Sequence, residues 1–474
     1  MGERFGMAES KETNTRPPPL LLSVLVFCCS LCQIISAQKI ITTLPGFDGP
    51  LPFSLETGYL EVDEEKGVEF FYYFIESESN PEEDPLMLWL TGGPGCSSFS
   101  GLVFEIGPLS FDLPGYRDGL PSLFYKADSW TQAGNIIFVD SPVGTGFSYS
   151  STAEGCQTSD SQTVHQLQTF LYKWLDKHPK FKSNPLYISG DSYSGKIVPI
   201  LTLEIAIAQE SNNATFNLKG YLVGNPVTST RYDTDSKVPF AHGTGLISDE
   251  LYESTKESCA GKYTNPSNVQ CASYLNVVDA VTKDIRGAHI LEPSCEFHSP
   301  RPGYIRIKRD ERGHYDEVPL FNSGLPLECR ESGYLLATFW ANNETVRYML
   351  GIRKGTVAGW HRCNYSLPYA KDIPSSLPYH LKVTNKGYPA LIYSGDHDFD
   401  IPHVGTQDWI RSLNFSIVDD WRPWYVGGQV AGFTRRYSNN LTFATVKGAG
   451  HTAPEYKPKE CLEMLQRWLA RASL

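Results

Sequence analysis

The sequence predicts an α/β fold in which a central, mostly parallel sheet carries helices on both faces. Short apolar runs bounded by turn residues, which are typical of buried strands, alternate along the chain with segments of helical periodicity. This alternation favours parallel strands, because each helix returns the chain to the start of the next strand. With 474 residues, 41% of them apolar, the chain is long enough for one large core with an insertion.

The predicted elements can be given in chain order. The strands are 69–76, 86–90, 135–140, 186–189, 218–223 and two more that begin near 390 and 442. The helices are 161–177, 197–207 and 458–470. The helix over 161–177 has the clearest pattern, because large apolar residues at 164, 167, 170, 171 and 174 fall on one face and a proline follows its end.

A serine stands at the turn between the strand over 186–189 and the helix that follows it. The turn has the sequence Gly190-Asp191-Ser192-Tyr193-Ser194-Gly195. A sharp turn lifts the serine hydroxyl off the sheet to where a base can reach it, and serine needs such a base because it is a weak nucleophile. Gly-x-Ser also occurs by chance, and Ser194 replaces the second glycine of the strict motif, although a small side chain still fits.

Two later strands end in residues that complete a catalytic triad. The strand near 390 leads into Asp396-His397-Asp398, and the strand near 442 leads into Gly448-Ala449-Gly450-His451. Taken singly, Asp398 is equally well interpreted as a turn former and His451 as a loop histidine. Ser192, Asp398 and His451 together lie at strand ends in the nucleophile, acid and base order of the α/β-hydrolases, and this combination favours catalysis.

A glycine-rich loop, Thr91-Gly92-Gly93-Pro94-Gly95, follows the strand over 86–90. Glycine lets backbone N–H groups approach a developing oxyanion, and each such donor contributes about 3 kcal/mol. The residue after the nucleophile, Tyr193, is expected to give the second N–H. Phosphate binding is disfavoured, because the loop has neither the Gly-Lys-Ser/Thr ending nor the G-x-G-x-x-G spacing.

The alternation of strands and helices breaks down between about residues 225 and 332. Four of the cysteines lie there, among many Pro, Gly and Asn residues, and apolar periodicity is weak. We expect this segment to be an insertion that caps the active site. Within it, 305–313 is rich in charged residues, for which a solvated loop is the favoured interpretation and a proteolytic nick site the alternative.

The first 37 residues predict a signal peptide. Three basic residues precede an apolar run over 20–35 that ends in Ile35-Ser36-Ala37. The run is too short for a convincing membrane span, so we expect cleavage near Ala37, and a signal anchor is the alternative. Residues 38–474 then form the mature domain, for which no membrane association is expected.

Cysteine use and potential glycosylation sites agree with passage through the secretory pathway. Eight of the 11 cysteines follow the predicted leader, and this even number suits disulfides in an oxidising compartment. A zinc site is disfavoured, because no Cys-x-x-Cys pair and no Cys/His cluster occurs among them. The potential glycosylation acceptors are Asn213, Asn343, Asn364, Asn414 and Asn440.

Five motifs together resemble the serine carboxypeptidase family. They are WLTGGPGCSSFSGLVFEIGP (89–108), NIIFVDSPVGTGFSYS (135–150), GDSYSGK (190–196), SGDHD (394–398) and GAGHTAPEYKP (448–458), and they extend over essentially the whole mature chain. The resemblance implies an α/β-hydrolase fold with a cap insertion, a triad of Ser192, Asp398 and His451, and an oxyanion hole formed by the N–H groups of Gly93 and Tyr193. It implies neither a metal nor an organic cofactor.

The same resemblance implies three disulfides. They pair Cys96 with Cys363, Cys259 with Cys271, and Cys295 with Cys329. It assigns no partner to Cys156 or Cys461.

Two positions distinguish the branches of this family. In its peptidases, an Asn in the glycine-rich loop and a protonated Glu before the nucleophile help to hold the substrate's terminal carboxylate, and here these positions are Thr91 and Asp191. Thr offers one hydroxyl in place of two amide N–H donors and Asp is one methylene shorter, so a terminal carboxylate would meet fewer donors and more repulsion. Trp89 and Glu105 of that network are retained, and Gly92 is a further predicted substrate-binding residue.

Thr91 and Asp191, with His397, instead resemble the plant acyltransferase branch, which moves an acyl group from a 1-O-β-glucose ester to an alcohol or amine. The expected partners are therefore an acyl-glucose donor and a small acceptor. A nucleic acid is excluded as a partner, because the net charge is −12 and no basic stripe is present. A carboxypeptidase that tolerates both substitutions is the first alternative. A non-catalytic binding protein is the second, and the intact triad disfavours it.

The resemblance to the transferase branch also implies a location. Its members act in the acidic vacuole, so vacuolar delivery is expected, with secretion as the alternative.

Overall fold

A mixed sheet of 12 strands forms the centre of the fold. In chain order its strands are β1 (Gln38–Ile41), β2 (Leu55–Asp63), β3 (Val68–Ile75), β4 (Leu86–Leu90), β5 (Asn135–Val139), β6 (Tyr149–Ser150), β7 (Leu186–Asp191), β8 (Leu218–Gly224), β9 (Ala390–Gly395), β10 (Ile417–Val426), β11 (Gln429–Tyr437) and β12 (Leu441–Val446). Their spatial order is β1-β2-β3-β5-β4-β7-β8-β9-β12-β11-β10, and β6 pairs with β3.

The six central strands of this sheet, from β5 through β4, β7, β8 and β9 to β12, run parallel to one another. Antiparallel strands flank them at both edges. The predicted fold class is confirmed, with the qualification that the outer strands make the whole sheet mixed. The carboxyl ends of β7, β9 and β12 therefore meet at one edge of the parallel region, where the predicted nucleophile, acid and base follow them.

The structure is a computed structural model, and it describes residues 1–2, 38–211, 216–295, 304–309, 315–319, 327 and 329–474. Most of the predicted signal peptide and the acceptor Asn213 lie outside these residues. No helix among the described residues has both the length and the apolar character needed to cross a membrane.

Helices cover both faces of the sheet. They are α1 (Asp160–Lys177), α2 (Ser194–Glu210), α3 (Thr230–Asp235), α4 (Lys237–Gly243), α5 (Asp249–Cys259), α6 (Val269–Thr282), α7 (Arg330–Ala341), α8 (Glu344–Met349), α9 (Leu377–Asn385), α10 (His403–Ser412), α11 (Ala453–Tyr456) and α12 (Pro458–Leu469). Strand β4 divides its side chains between two cores: Leu86 and Leu88 face the core of α1 and α2, while Met87 and Trp89 face the core of α7 and α12.

The predicted cap insertion contains α3 to α6 and a two-stranded antiparallel hairpin, Tyr304–Arg309 with Tyr315–Pro319. The prediction of a solvated loop over 305–313 is therefore wrong for residues 305–309. Isoleucine alternates with basic residues in this segment, which suits a strand that pairs with another strand. The high content of charged residues favoured a loop instead. The other part of the segment, 310–313, lies outside the described residues, so the proteolytic nick stays a prediction.

The three predicted disulfides are confirmed. Cys96 is bonded to Cys363, Cys259 to Cys271 and Cys295 to Cys329. The other two described cysteines are free thiols, Cys156 exposed and Cys461 buried.

Four of the potential glycosylation acceptors are described. Asn414 and Asn440 are exposed, and Asn343 and Asn364 are half-buried. Their glycosylation stays a prediction.

Candidate active site

The candidate nucleophile lies on a strained turn between β7 and α2. Ser192 has a φ of +53°, in the left-handed region that a non-glycine residue rarely adopts. The turn is held in place because the Ser192 N–H donates to Gly224 O at 2.9 Å and the N–H of Val227 donates to Ser192 O at 2.8 Å. Ser194, which replaces the second glycine of the strict motif, uses its hydroxyl to donate to Asp191 O at 2.7 Å. The substitution therefore adds a bond that closes the turn.

Ser192, His451 and Asp398 form a continuous hydrogen-bonded chain. The Ser192 hydroxyl lies 2.8 Å from His451 Nε2, and His451 Nδ1 lies 2.8 Å from Asp398 Oδ2. Because the carboxylate only accepts, Nδ1 carries the proton and Nε2 is free to accept from the serine. The structure thus brings together three residues that the sequence distributes over more than 250 positions, with a serine–histidine separation of 259.

Asp398 is fully buried, with 0% of its surface exposed. Hydrogen bonds other than the one to His451 fix the orientation of its carboxylate. Asn225 Nδ2 donates to Asp398 Oδ2 at 2.7 Å, and the backbone N–H of Asp400 donates to Oδ1 at 2.8 Å. Asn225 follows β8 with a φ of +42° and accepts from the Gly395 N–H at 3.1 Å. The sequence pattern does not identify this residue as functional, and the available signal is an asparagine directly after the strand that follows the nucleophile strand in the chain.

Negative charge surrounds the imidazole of His451. Burial opposes the protonated ring, but the carboxylates of Asp398, Asp400 and Asp191 outweigh burial and raise the pKa of His451 to about 9. Such carboxylates stabilise the imidazolium that forms when the serine gives up its proton. The surrounding carboxylates therefore favour the protonated ring, which is the form that His451 adopts after it takes the proton of Ser192.

Asp398, Asp400 and His451 also each bring one potential metal-ligand atom within 4.8 Å of the others. Asp398 and His451 are already bonded to each other at 2.8 Å, and Asp398 accepts from Asn225 as well. A metal ion would have to replace these hydrogen bonds. The donor set therefore fits a hydrogen-bonded dyad better than a metal centre.

The glycine-rich loop packs directly against the nucleophile turn. A Cβ atom added to Gly92 would lie 2.6 Å from both Ser192 Cβ and Tyr193 N, so only glycine permits this approach. Gly93 has a φ of +116°, and the neighbouring Cys96 anchors the loop through its disulfide to Cys363. Within the described residues, no acceptor takes the backbone N–H of Gly93 or of Tyr193. Both donors are thus available to a ligand.

The predicted substrate-binding residues lie together beside this loop. Trp89 Nε1 donates to Thr91 Oγ1 at 3.2 Å, and the Gly92 N–H donates to Asp191 Oδ1 at 3.2 Å. Burial raises the pKa of Asp191 to about 6. Burial, reinforced by the nearby Asp191 carboxylate, raises the pKa of Glu105 well above its usual range. The site therefore holds at least one protonated carboxyl group at mildly acidic pH.

His397 directly precedes Asp398 in the chain, and its side chain bonds to Asp396. Its Nδ1 contacts Asp396 Oδ1 at 2.5 Å, and Asp396 Oδ1 also accepts from the Gly448 N–H at 2.7 Å. His397 therefore supports the connection between the loop of the acid and the loop of the base.

A cavity of about 390 Å³ lies near the candidate site, but none of Ser192, Asp398 and His451 lines it. Phe104, Lys126, Arg330 and Glu455 are among the side chains that line it. Lys126 Nζ donates to the backbone oxygen of Glu105 at 2.6 Å, and burial lowers the pKa of Lys126 to about 8. The volume falls within the usual range of small-molecule sites.

Comparison with known proteins agrees with this geometry. The family model described as Serine carboxypeptidase matches residues 45–471. Serine carboxypeptidase-like 1 of Arabidopsis thaliana is 51% identical over 466 residues, which are 98% of this chain and 99% of that protein. Serine carboxypeptidase-like 19 of the same plant is 48% identical over 444 residues, covering 92% and 95% of the two chains.

A solved structure has the same fold. The prohormone-processing carboxypeptidase KEX1(delta)p of Saccharomyces cerevisiae has a TM-score of 0.69 at 21% identity, covering 91% of this chain and 94% of that one. The fold, the family match over nearly the whole chain and the close plant relatives lead to one conclusion: this chain belongs to the serine carboxypeptidase family.

Proposed function

We propose that the protein is an acyltransferase that moves an acyl group from a 1-O-β-glucose ester to an alcohol or amine, by way of an acyl-enzyme on Ser192. One observation favours acyl transfer over peptide hydrolysis. The donors Trp89 Nε1 and Gly92 N are both bonded within the protein, to Thr91 and Asp191. A substrate's terminal carboxylate would find these donors occupied and would face the buried carboxyl of Asp191.

The proposed reaction begins with acylation. His451 takes the proton of Ser192 while the serine oxygen attacks the ester carbonyl, and the N–H groups of Gly93 and Tyr193 stabilise the oxyanion. The tetrahedral intermediate collapses, the bond to the glucose oxygen breaks, and glucose leaves with the proton held by His451. Asp398 keeps the imidazole in the tautomer that allows this cycle.

Deacylation repeats the same steps with a different nucleophile. His451 takes the proton of the acceptor hydroxyl or amine, whose oxygen or nitrogen attacks the acyl-enzyme, and Ser192 leaves with that proton. Water competes at this step, so transfer depends on holding the acceptor close to His451 and on excluding water.

A serine-type carboxypeptidase is the second candidate, and one observation favours it. The raised pKa of Glu105 keeps a protonated carboxyl donor near Thr91 and Asp191. A protonated carboxyl group can donate one hydrogen bond to a terminal carboxylate.

The deciding experiment compares both reactions in one preparation. Purified protein is incubated at mildly acidic pH with a panel of 1-O-acyl-glucoses and mixed acceptors, and in parallel with a blocked dipeptide. The expected result is a new ester or amide that Ser192→Ala does not form, with the dipeptide intact. Release of the terminal amino acid without any transfer product would instead establish the carboxypeptidase.

A matched variant tests the two branch-specific positions directly. Thr91→Asn combined with Asp191→Glu restores the donor set of the peptidases, and we expect this double variant to gain dipeptide hydrolysis and lose transfer. Unchanged activities in a folded double variant would show that these positions do not decide the reaction.

We also propose that the protein passes through the secretory pathway to the vacuole, with secretion as the alternative. Three disulfides suit an oxidising route. The destination rests on the resemblance to the plant acyltransferase branch, whose members act in the acidic vacuole. Location of a fluorescent fusion in plant cells, with and without residues 1–37, tests the proposal.

A further inference from the structure

The loops that carry the acid and the base are both bonded to one short stretch of backbone in the cap insertion, residues 287–290. Gly287 O accepts from the N–H of Phe399 at 2.8 Å and of Asp400 at 3.2 Å. One residue later, Ala288 O accepts from the N–H of His451 at 2.7 Å. Residues 287–290, here called the bridging segment, therefore fix Asp398 and His451 relative to each other.

The fit between the bridging segment and both loops is tight. A Cβ on Gly287 would lie 2.1 Å from Asp400 Oδ1, and a Cβ on Gly450, next to His451, would lie 2.2 Å from Ala288 O. Both distances are far below van der Waals contact. A displacement of the bridging segment must therefore move at least one of the two loops.

Arg286 immediately precedes the bridging segment and anchors it from behind. Its Nε donates to Glu331 Oε1 at 2.7 Å, and its Nη1 donates to Glu292 Oε2 at 2.7 Å and to Tyr456 Oη at 3.0 Å. Only 8% of the Arg286 side chain is exposed. Glu331 belongs to α7 and Tyr456 to α11, so one guanidinium group connects the cap, a core helix and the helix that follows His451.

We propose that Arg286 is a positioning residue for the triad: through the bridging segment, its docking determines the geometry of Asp398 and His451. Guanidinium geometry matters here, because three partners in different directions need several N–H donors in one plane. A lysine keeps the charge and can satisfy these partners only in part. The proposal rests on the triad chemistry proposed above. It holds for both candidate reactions, acyl transfer and peptide hydrolysis.

Two variants test this role by different means. Arg286→Lys weakens the anchor. Gly287→Ala adds a Cβ 2.1 Å from Asp400 Oδ1, which forces the Asp400 side chain or the bridging segment to shift without changing any charge. Arg353→Lys is the matched control, because Arg353 also pairs with a carboxylate, Glu69, and lies 4.7 Å from the ring of Tyr59, yet these contacts lie at β2 and β3. The measurements are the second-order rate of Ser192 labelling by a fluorophosphonate, the melting temperature, and separate kcat and KM values.

We expect labelling and kcat to fall at least 10-fold in Arg286→Lys and about 10- to 100-fold in Gly287→Ala, with KM unchanged and folding retained. The control should label within twofold of the wild type. Labelling of both test variants at the control rate would overturn the positioning role while leaving the triad proposal intact. A folded wild-type protein that does not label would overturn the triad proposal and this inference together.

Discussion

Replacing Gly92 by alanine should disable the nucleophile while leaving the fold intact. The added Cβ would lie 2.6 Å from Ser192 Cβ and from Tyr193 N, whereas carbon contacts in proteins settle at about 3.6 Å. The loop and the nucleophile turn must therefore separate by about 1 Å. Neither obstacle is the free end of a flexible side chain, so no rotamer change relieves the overlap. A misplacement of this size costs about 100-fold in rate.

The assay is the rate of fluorophosphonate labelling at Ser192, followed by mass spectrometry of the labelled peptide. Gly243→Ala is the matched control, because a Cβ at Gly243 would meet no atom within 4 Å. We expect Gly92→Ala to label about 100-fold more slowly than this control, with a melting temperature within a few degrees of it.

One result would refute this reasoning. If a folded Gly92→Ala protein labels within threefold of Gly243→Ala, the reactivity of Ser192 does not depend on the contact between the glycine-rich loop and the nucleophile turn. The assignment of the Gly93 and Tyr193 N–H groups to one oxyanion hole would then fail with it, because that assignment needs both segments in register.

Three further predictions follow from the same contacts. Asp398→Asn should lower kcat by about 10⁴-fold, because an amide no longer selects the reactive imidazole tautomer, and steady-state kinetics on the folded variant measure this. Burial raises the pKa of Asp140 to about 6 and of Asp233 to about 7, so the folded state holds protons that the unfolded chain releases near pH 4. The unfolding free energy should therefore fall between pH 4 and 7, by about 3 kcal/mol for Asp140 and about 4 kcal/mol for Asp233, in denaturant titrations at several pH values. Cys363→Ser, which frees Cys96 and opens a loop of 267 residues, should cost about 5 kcal/mol of unfolding free energy in the same titrations.

The centre of the sheet and the positions of the triad could be predicted from sequence because both depend on buried strands. Strands β7, β9 and β12 are buried along almost their whole length, so they appear as short, mostly apolar runs, and a candidate catalytic residue follows each of them. Parallel strands place those ends at one edge of the sheet. The roles of Ser192, Asp398 and His451 as nucleophile, acid and base could therefore be assigned from their order in the chain, without knowing the distances between them.

The antiparallel strands β10 and β11 at one edge of the sheet could not be predicted in the same way. Strand β10 is mostly exposed or half-exposed, and its sequence mixes aspartate, arginine and tryptophan without an apolar run. Its partner strand β11 mixes buried and exposed positions and also has no long apolar run. Such strands are stabilised by pairing with a neighbour that is already folded, and a pattern of burial along the chain does not reveal that neighbour.

Asn225 shows the corresponding limit for the site. Alone in a sequence, an asparagine after a strand predicts a turn, and it does form one here with positive φ. Its bond to Asp398 joins residues 173 positions apart, and this contact depends on β8 and β9 being neighbours. The local sequence pattern therefore predicts the turn at Asn225, whereas its hydrogen bond to Asp398 is seen only in the folded structure.

The substitutions at Thr91 and Asp191 are best understood as one unit. Thr91 accepts from Trp89, and Asp191 accepts from Gly92, which lies directly after Thr91 in the chain. Because adjacent residues share a rigid loop, changing one partner alters the position of the other, and their effects need not add. A longer glutamate at 191 alone would have to leave the Gly92 N–H or push the loop away from Ser192. Thr91 and Asp191 are thus linked through the backbone of Gly92, so we expect the effects of Thr91→Asn and Asp191→Glu on activity to be non-additive when the single and double variants are compared.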